Sequence, residues 1–378
     1  MLIVHIIIDL QTGGAELMMK RLIESHLGND SYRHRVISLR SLGTVGPAME
    51  ARGIEVEALG LSGPFGLPKV LRRLSRRIRE LRPDIIQTWM YHADLIGGLA
   101  ARRAGVRRIA WGVRIADISP EMGVSRATTW VRRACAILSS RIPQRIIYVG
   151  NSARTIHERL GYDPEKSVFI PNGYSIPDLP TAANRARKRE EWHVPVGALI
   201  IGSAGRFSPQ KDQRGFVAAA ARVAAAIPSA YFVMMGRGND AGNPELSGWI
   251  RESGFSDRFR LLGERTDVLE CLGALDVFCL HSIGEGFPNV LAEAMSVARP
   301  SVTTCVGDSA ELLGDAGLTV PPADPAALAE ALKCLALLRK DEREAMGAKG
   351  RARIVSEFSM DAIRRRYERL YDAMDVET

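Results

Sequence analysis

Between residues 202 and 212 the chain reads GSAGRFSPQKD, directly after the apolar run ALII and ahead of a helical stretch that begins near Arg214. Gly205 permits a sharp turn at the end of a strand. Arg206 and Lys211 then place two cations beside the N-terminus of the next helix, where unpaired backbone N–H groups already favour anions. A diphosphate suits this arrangement, because Arg grips a phosphate through two parallel hydrogen bonds and Lys adds a point charge. Taken alone, the same pattern also reads as surface charge after a turn. A second stretch, EGFPNVLAEAM at 285–295, sets Glu285 and Glu293 eight positions apart with Gly286 and Pro288 between them. With a helix starting near Asn289, Glu293 lies on its first turns and Glu285 in the loop before it. Both carboxylates then reach hydroxyls of one ligand, while the backbone N–H groups of Phe287, Asn289 and Val290 receive a phosphate or a sugar hydroxyl. The plain alternative makes Glu293 an ordinary helix-surface residue.

These residues need strands and helices to hold them. Short β-branched runs alternate with helical stretches along the chain: LIVHIII before a helix from Ala15, DIIQTW before a helix near Asp94, then RIIYVG, ALIIGSAG, AYFVMMG, DVFCLH and PSVTT. Such alternation predicts βαβ units with parallel sheets buried on both faces, an α/β fold. The rhythm breaks once, at 171–195, where PNGYSIPDLPTAANRARKREEWHVP has no apolar period and reads as an interdomain linker. The expected organisation is a Rossmann-like domain over 1–175, a linker over 176–195, a second Rossmann-like domain over 196–359, and a final helix within 360–378 that packs back on the first domain. Ligands are expected at the C-terminal ends of the strands, facing a central cleft.

Composition bounds the rest. The 378 residues carry 46% hydrophobic and 25% charged residues, ordinary for a folded chain. The net charge of +8 is unevenly spread: residues 1–178 hold 26 Lys and Arg against 16 Asp and Glu. Much of that excess lies in PKVLRRLSRRIRELR at 68–82, where Val70, Leu71, Leu74, Ile78 and Leu81 recur at helical spacing between basic residues. An amphipathic basic helix of this kind is either a solvated face or a dock for anionic lipid headgroups through Arg72, Arg73, Arg76 and Arg77. Nucleic acid is not expected as a partner, since no aromatic stacking set interleaves with the charges. The five scattered cysteines include no C-x-x-C pair and read as reduced core residues. MLIVHIII reads as a first strand and not as a signal peptide, and residues 216–235 read as a helix followed by a strand because Arg222 and Pro228 interrupt them. The expected location is cytoplasmic, peripheral on the inner face of the cytoplasmic membrane.

With these pieces in order, the chain resembles the group-1 (family-4) GT-B glycosyltransferases over nearly its whole length. The resemblance rests on GGAE (13–16), NS (151–152), IPNG (170–173), GRFSPQKD (205–212), GRG (236–238), LGERTDV (262–268), LDVFCL (275–280), EGFPNVLAEAM (285–295) and GLTVPPADPAALAEAL (317–332). It implies a retaining enzyme that uses a nucleoside-diphosphate sugar as co-substrate. It implies that Arg206 and Lys211 neutralise the donor diphosphate, that Glu293 binds the ribose hydroxyls and that Glu285 contacts the donor sugar. The Gly13–Gly14 loop would close over the diphosphate, and the loops carrying Gly236, Gly238 and Leu262 would flank the base. Two departures stand out. Many relatives end the corresponding first-domain strand with a His, whereas DIIQTWMYHADL offers Trp89 and, three residues later, His92, a candidate for polarising the sugar or orienting the acceptor. After the second carboxylate helix, SVARP (296–300) places Arg299 where relatives have a small Gly-containing turn.

No two aspartates are spaced as D-x-D, so no divalent metal is expected, and Arg206, Lys211 and helix-terminal amides take over stabilisation of the leaving diphosphate. The acceptor implied is lipid-linked or a polysaccharide. Competing readings are a nucleotide-sugar epimerase, a sugar phosphorylase with lysine-bound pyridoxal phosphate, or a catalytically silent component of a glycan-assembly complex. An NAD oxidoreductase is disfavoured because the first strand leads into DLQTGGAE and not into G-x-G-x-x-G.

Overall fold

The computed structural model describes residues 1–115 and 125–376. Two compact units emerge: Met1–Gly173 with Met360–Thr378, and Tyr174–Ser359. The first contains β1 (Leu2–Ile7), β2 (Arg33–Ser38), β3 (Glu55–Ala58), β4 (Ile85–Trp89), β5 (Ile109–Val113), β6 (Arg145–Tyr148) and β7 (Ser167–Phe169), ordered β3-β2-β1-β4-β5-β6-β7. The second contains β8 (Leu199–Ala204), β9 (Ala230–Met235), β10 (Phe259–Gly263), β11 (Val277–Leu280), β12 (Ser301–Thr304) and β13 (Gly317–Val320), ordered β10-β9-β8-β11-β12-β13. Every strand pairing in the two sheets is parallel. Both units are therefore Rossmann-like α/β layers, as the alternation predicts. In each, the strand order reverses beside the first strand, between β1 and β4 and between β8 and β11, where parallel sheets open a crevice for ligands.

The cores follow from sequence pattern. Strands such as β4 and β5 are mostly apolar and are buried along their whole length, because helices cover both faces. The basic segment forms the helix Leu67–Leu81, with Val70, Leu74 and Ile78 buried. Arg72, Arg73 and Arg76 remain exposed, but Arg77 is half-buried against Glu57 at 2.8 Å and is less available than its spacing implied. The stretch 216–235 resolves into the helix Gln213–Ala226 and β9.

Two expectations need correction. The stretch read as a linker belongs to the second unit and carries the helix Ala182–Glu191, whose first turn is capped by the Thr181 hydroxyl accepting from Asn184 N. This helix docks through charge: Lys188, 3% exposed, pairs with Asp267 and with Glu191, and Arg185 pairs with Asp276. No apolar stripe announces it. The cysteines are all free thiols, but only Cys135, Cys271 and Cys279 are in the core; Cys305 and Cys334 are exposed.

The helix Met360–Val376 lies in the first unit. Ile363, Tyr367, Leu370, Tyr371 and Met374 join Ile3, Ile7, Met18 and Trp89 in one apolar cluster, and Tyr371 donates to Gln87 Oε1. No helix among the described residues is long and apolar enough to cross a membrane.

Candidate functional site

In the second unit, the ends of β8 and β11 open into a cavity of about 520 Å³. Its lining includes Gly205, Arg206 and Lys211 from the turn after β8, Gly236 and Arg237 after β9, Glu264, Arg265 and Val268 after β10, and Glu285, Phe287, Asn289 and Val290 after β11. Residues far apart in sequence thus meet at the point where strand order reverses.

Local chemistry explains each placement. Asp212, at φ 50°, caps the helix Gln213–Ala226 by accepting from Gly215 N at 3.0 Å, which fixes the turn bearing Lys211. The loop after β9 is interlocked with that turn: Phe207 N donates to Arg237 O at 2.8 Å and Asn239 Nδ2 donates to Gly205 O at 2.6 Å. Gly236 sits at φ 121°, and a Cβ there would lie 2.1 Å from Gly205 O, so only glycine permits the close approach.

The site is charged. Arg206 is exposed, and its guanidinium makes no hydrogen bond or ion pair among the described residues. Lys211 pairs with Glu285 Oε1, which also accepts from Ser282 Oγ at 2.6 Å. Arg265 holds Asp267 through two hydrogen bonds of 2.7 Å, and this keeps the Asp267 carboxyl well below the usual carboxylate range. The helix Asn289–Ser296 has no side-chain cap at its N-terminus. Asn289 Oδ1 accepts from Tyr174 at 2.7 Å.

The cavity brings together Arg206, Lys211, Glu285, Gly205, Gly236, Phe287, Asn289 and Val290. It does not include Gly238, whose φ is 81° beside Phe207, nor Leu262 in β10, nor Glu293, half-buried in the first turns of its helix. Gly13 and Gly14 belong to the first unit, as N-cap and first residue of the helix Gly14–Glu24 after β1. His92 is also there, in the first turn of the helix Tyr91–Arg103 after β4, half-buried, its pKa lowered by burial and then by the nearby charge of Arg40. Trp89, the other position weighed for that role, is fully buried and donates from Nε1 to His5 Nδ1 at 3.1 Å, which commits it to the core.

Lining residues not singled out from sequence include four with motif signals: Arg237, Glu264, Arg265 and Val268. The signal was present, since all four lie inside or directly beside the GRG and LGERTDV motifs.

Comparison with known proteins decides the family. Residues 12–176 match the model described as Glycosyltransferase Family 4, and residues 198–337 match the one described as Glycosyl transferases group 1. The chain belongs to the group-1 glycosyltransferases. It is similar to the UDP-Gal:alpha-D-GlcNAc-diphosphoundecaprenol alpha-1,3-galactosyltransferase of Escherichia coli, at 28% identity over 62% of this chain and 61% of that relative's length. A phosphatidyl-myo-inositol mannosyltransferase of Mycobacterium leprae matches at 27% identity over 86% of this chain and 90% of its own. Among solved structures, Anabaena HepE with UDP bound superposes with a TM-score of 0.86 at 22% identity, over 99% of this chain and 100% of HepE. The lipopolysaccharide-biosynthesis glycosyltransferase WaaG has a TM-score of 0.69 at 15% identity, over 98% of this chain and 99% of its own. These likenesses give the group-1 transferase the GT-B fold of two Rossmann-like domains.

Proposed function

We propose that this transferase moves a sugar from a nucleoside-diphosphate donor to a lipid-linked or polysaccharide acceptor, with retention at the anomeric carbon and without a divalent metal. The observation that carries the reading is the Arg206 guanidinium, unpaired among the described residues and set with Lys211 near the N-terminus of the helix Asn289–Ser296 in one cavity. As the bond from the anomeric carbon to the phosphate oxygen breaks, negative charge grows on the β-phosphate. Arg206, Lys211 and the helix amides are preorganised to receive it. The acceptor hydroxyl forms its new bond on the same face, and its proton passes to the departing phosphate oxygen. Glu285 orients the donor sugar and Glu293 the ribose. UDP is the first nucleotide to test, because HepE binds it.

The exposed Arg72, Arg73 and Arg76 on the helix Leu67–Leu81 support peripheral attachment to an anionic membrane, where each contributes about 1 kcal/mol. Transfer is preferred over epimerisation because both sequence relatives reported above are named as transferases. The deciding experiment measures turnover of UDP-sugars with EDTA present and reads the anomeric configuration of the product by NMR. Retained configuration with undiminished turnover is expected; an inverted centre, or an absolute need for metal, overturns the reading.

A further inference from the structure

The second unit has another and larger cavity, of about 860 Å³, at the opposite ends of the same strands. It is bounded by Leu199 where β8 begins, Asp276 just before β11 and Pro300 just before β12. Five cations line it: Arg185, Arg189, Arg299, Lys340 and Arg343. Only three carboxylates oppose them, Glu190, Asp276 and Glu344, an excess of two positive charges.

The excess is built in and not merely exposed. Asp276 is already engaged: Oδ1 accepts from Arg185 at 3.1 Å and forms an ion pair with Arg189 at 2.9 Å, and Oδ2 accepts from Ile200 N at 2.8 Å. Neither it nor Glu344 hydrogen-bonds Arg299 among the described residues, although both charges partly offset that of Arg299. That residue is 9% exposed and donates from Nε to Val297 O at 3.1 Å and from Nη1 to Leu275 O at 2.9 Å; its Nη2 makes no hydrogen bond among the described residues. Burial, and then the positive charge of Arg185, push the Arg299 pKa down to about 10, the mark of a guanidinium among like charges. A buried guanidinium in a lining with excess positive charge is costly unless something anionic compensates it. The far wall, from Val194 to Leu199, is short of charge, with Val196 fully exposed.

We propose that this cavity is a second anion site, distinct from the donor pocket, that binds a phosphate monoester: the dianionic phosphate sits among Arg185, Arg299 and Arg343, and the organic body lies against the wall at 194–199. A phosphate dianion matches the excess of two charges, and the volume leaves room for a body about as large as a pentose or hexose.

The test is calorimetric titration with ribose 5-phosphate and, separately, inorganic phosphate, using the full chain carrying Arg206→Ala and Lys211→Ala so that the donor pocket is disabled. The ester is expected to bind, with inorganic phosphate weaker and competitive. Lys340→Glu with Arg343→Glu is expected to weaken the ester about tenfold or more. Because Arg343 also bonds the carbonyls of Ala336 and Leu338, a second variant, Ala186→Trp, fills the cavity without touching charge and should also abolish binding. Circular dichroism and a thermal melt check folding of each. Absence of ester binding in the Arg206→Ala, Lys211→Ala chain overturns the proposal, as does binding untouched by both cavity variants or inorganic phosphate binding more tightly than the ester. Donor turnover in the otherwise native chain is read separately, so failure here leaves the transferase reading standing.

Discussion

Lys211 and Glu285 form an ion pair across the mouth of the strands β8 and β11, and Ser282 donates to the same carboxylate oxygen at 2.6 Å. The two side chains assigned to opposite ends of the donor, cation to phosphate and carboxylate to sugar, thus neutralise each other before it arrives. The donor must exchange this pair for its own contacts. Substituting Lys211 or Glu285 singly by Ala should each lower turnover, by about 10² to 10³ for the lysine. The double variant should be much less impaired than the product of the two, since each single change strands the other's charge. A fully multiplicative double variant, measured by release of nucleoside diphosphate, would show the pair to be incidental.

Arg206 has no such partner, so its removal strands nothing. Arg206→Ala should leave the melting temperature within about 2 °C while turnover falls at least about 10²-fold. A folded variant with native turnover would remove the central element of the proposed mechanism.

The close approach at Gly236 gives a prediction on stability. Alanine there meets Gly205 O at 2.1 Å and must hold φ 121°, so Gly236→Ala should cost about 1 to 3 kcal/mol in a urea melt and weaken UDP binding as the turn bearing Arg206 is pushed away. Unchanged stability would mean that the two loops do not interlock as described.

The first unit buries histidines that must stay neutral. His5 Nε2 lies 2.9 Å from His34 Nδ1, and the His26 ring is tilted against that of His34 with centroids 4.7 Å apart. Burial first, and then the neighbouring imidazoles, lower His5 to about 3 and His34 to about 2; His26 is lowered mainly by burial. In the unfolded chain each takes up a proton near pH 6.5. The folded state resists protonation, so stability is full above that pH. It falls as the pH drops from about 6.5 towards 3, by up to about 1.4 kcal/mol per pH unit for each histidine. His34→Gln should flatten this acid limb in urea melts; an unchanged slope would assign acid sensitivity to other groups.

Membrane attachment is tested by vesicle sedimentation. Changing Arg72, Arg73 and Arg76 to Glu should sharply reduce binding to anionic vesicles, while Arg77→Glu should mainly disturb the contact with Glu57. Equal binding by the triple variant would count against this helix.

How much of this was readable beforehand divides along a physical line. Elements stabilised by apolar periodicity were legible: the strands β1, β4, β6, β8, β9, β11 and β12, the helix Leu67–Leu81, and the turn-and-helix settings of Arg206 and Glu293. The helix Ala182–Glu191 was not, because it is held by Lys188 to Asp267 and Arg185 to Asp276, and ion pairs between distant residues leave no period in a sequence. For the same reason Arg237 and Arg265 were visible as motif letters but not as lining residues. The histidine cluster was equally hidden, since β1, β2 and the turn following the helix Gly14–Glu24 each contribute a single ring.

The helix Met360–Val376 makes the order of synthesis matter. Its Tyr367 and Tyr371 fill the same apolar cluster as Ile3 and Ile7, so during translation the β1 region waits with an open flank until everything up to Ser359 has emerged. The later-made unit is free to close earlier, and the earlier-made one finishes last. A nascent chain halted at 359 would therefore carry one protease-resistant half and one that chaperones still hold.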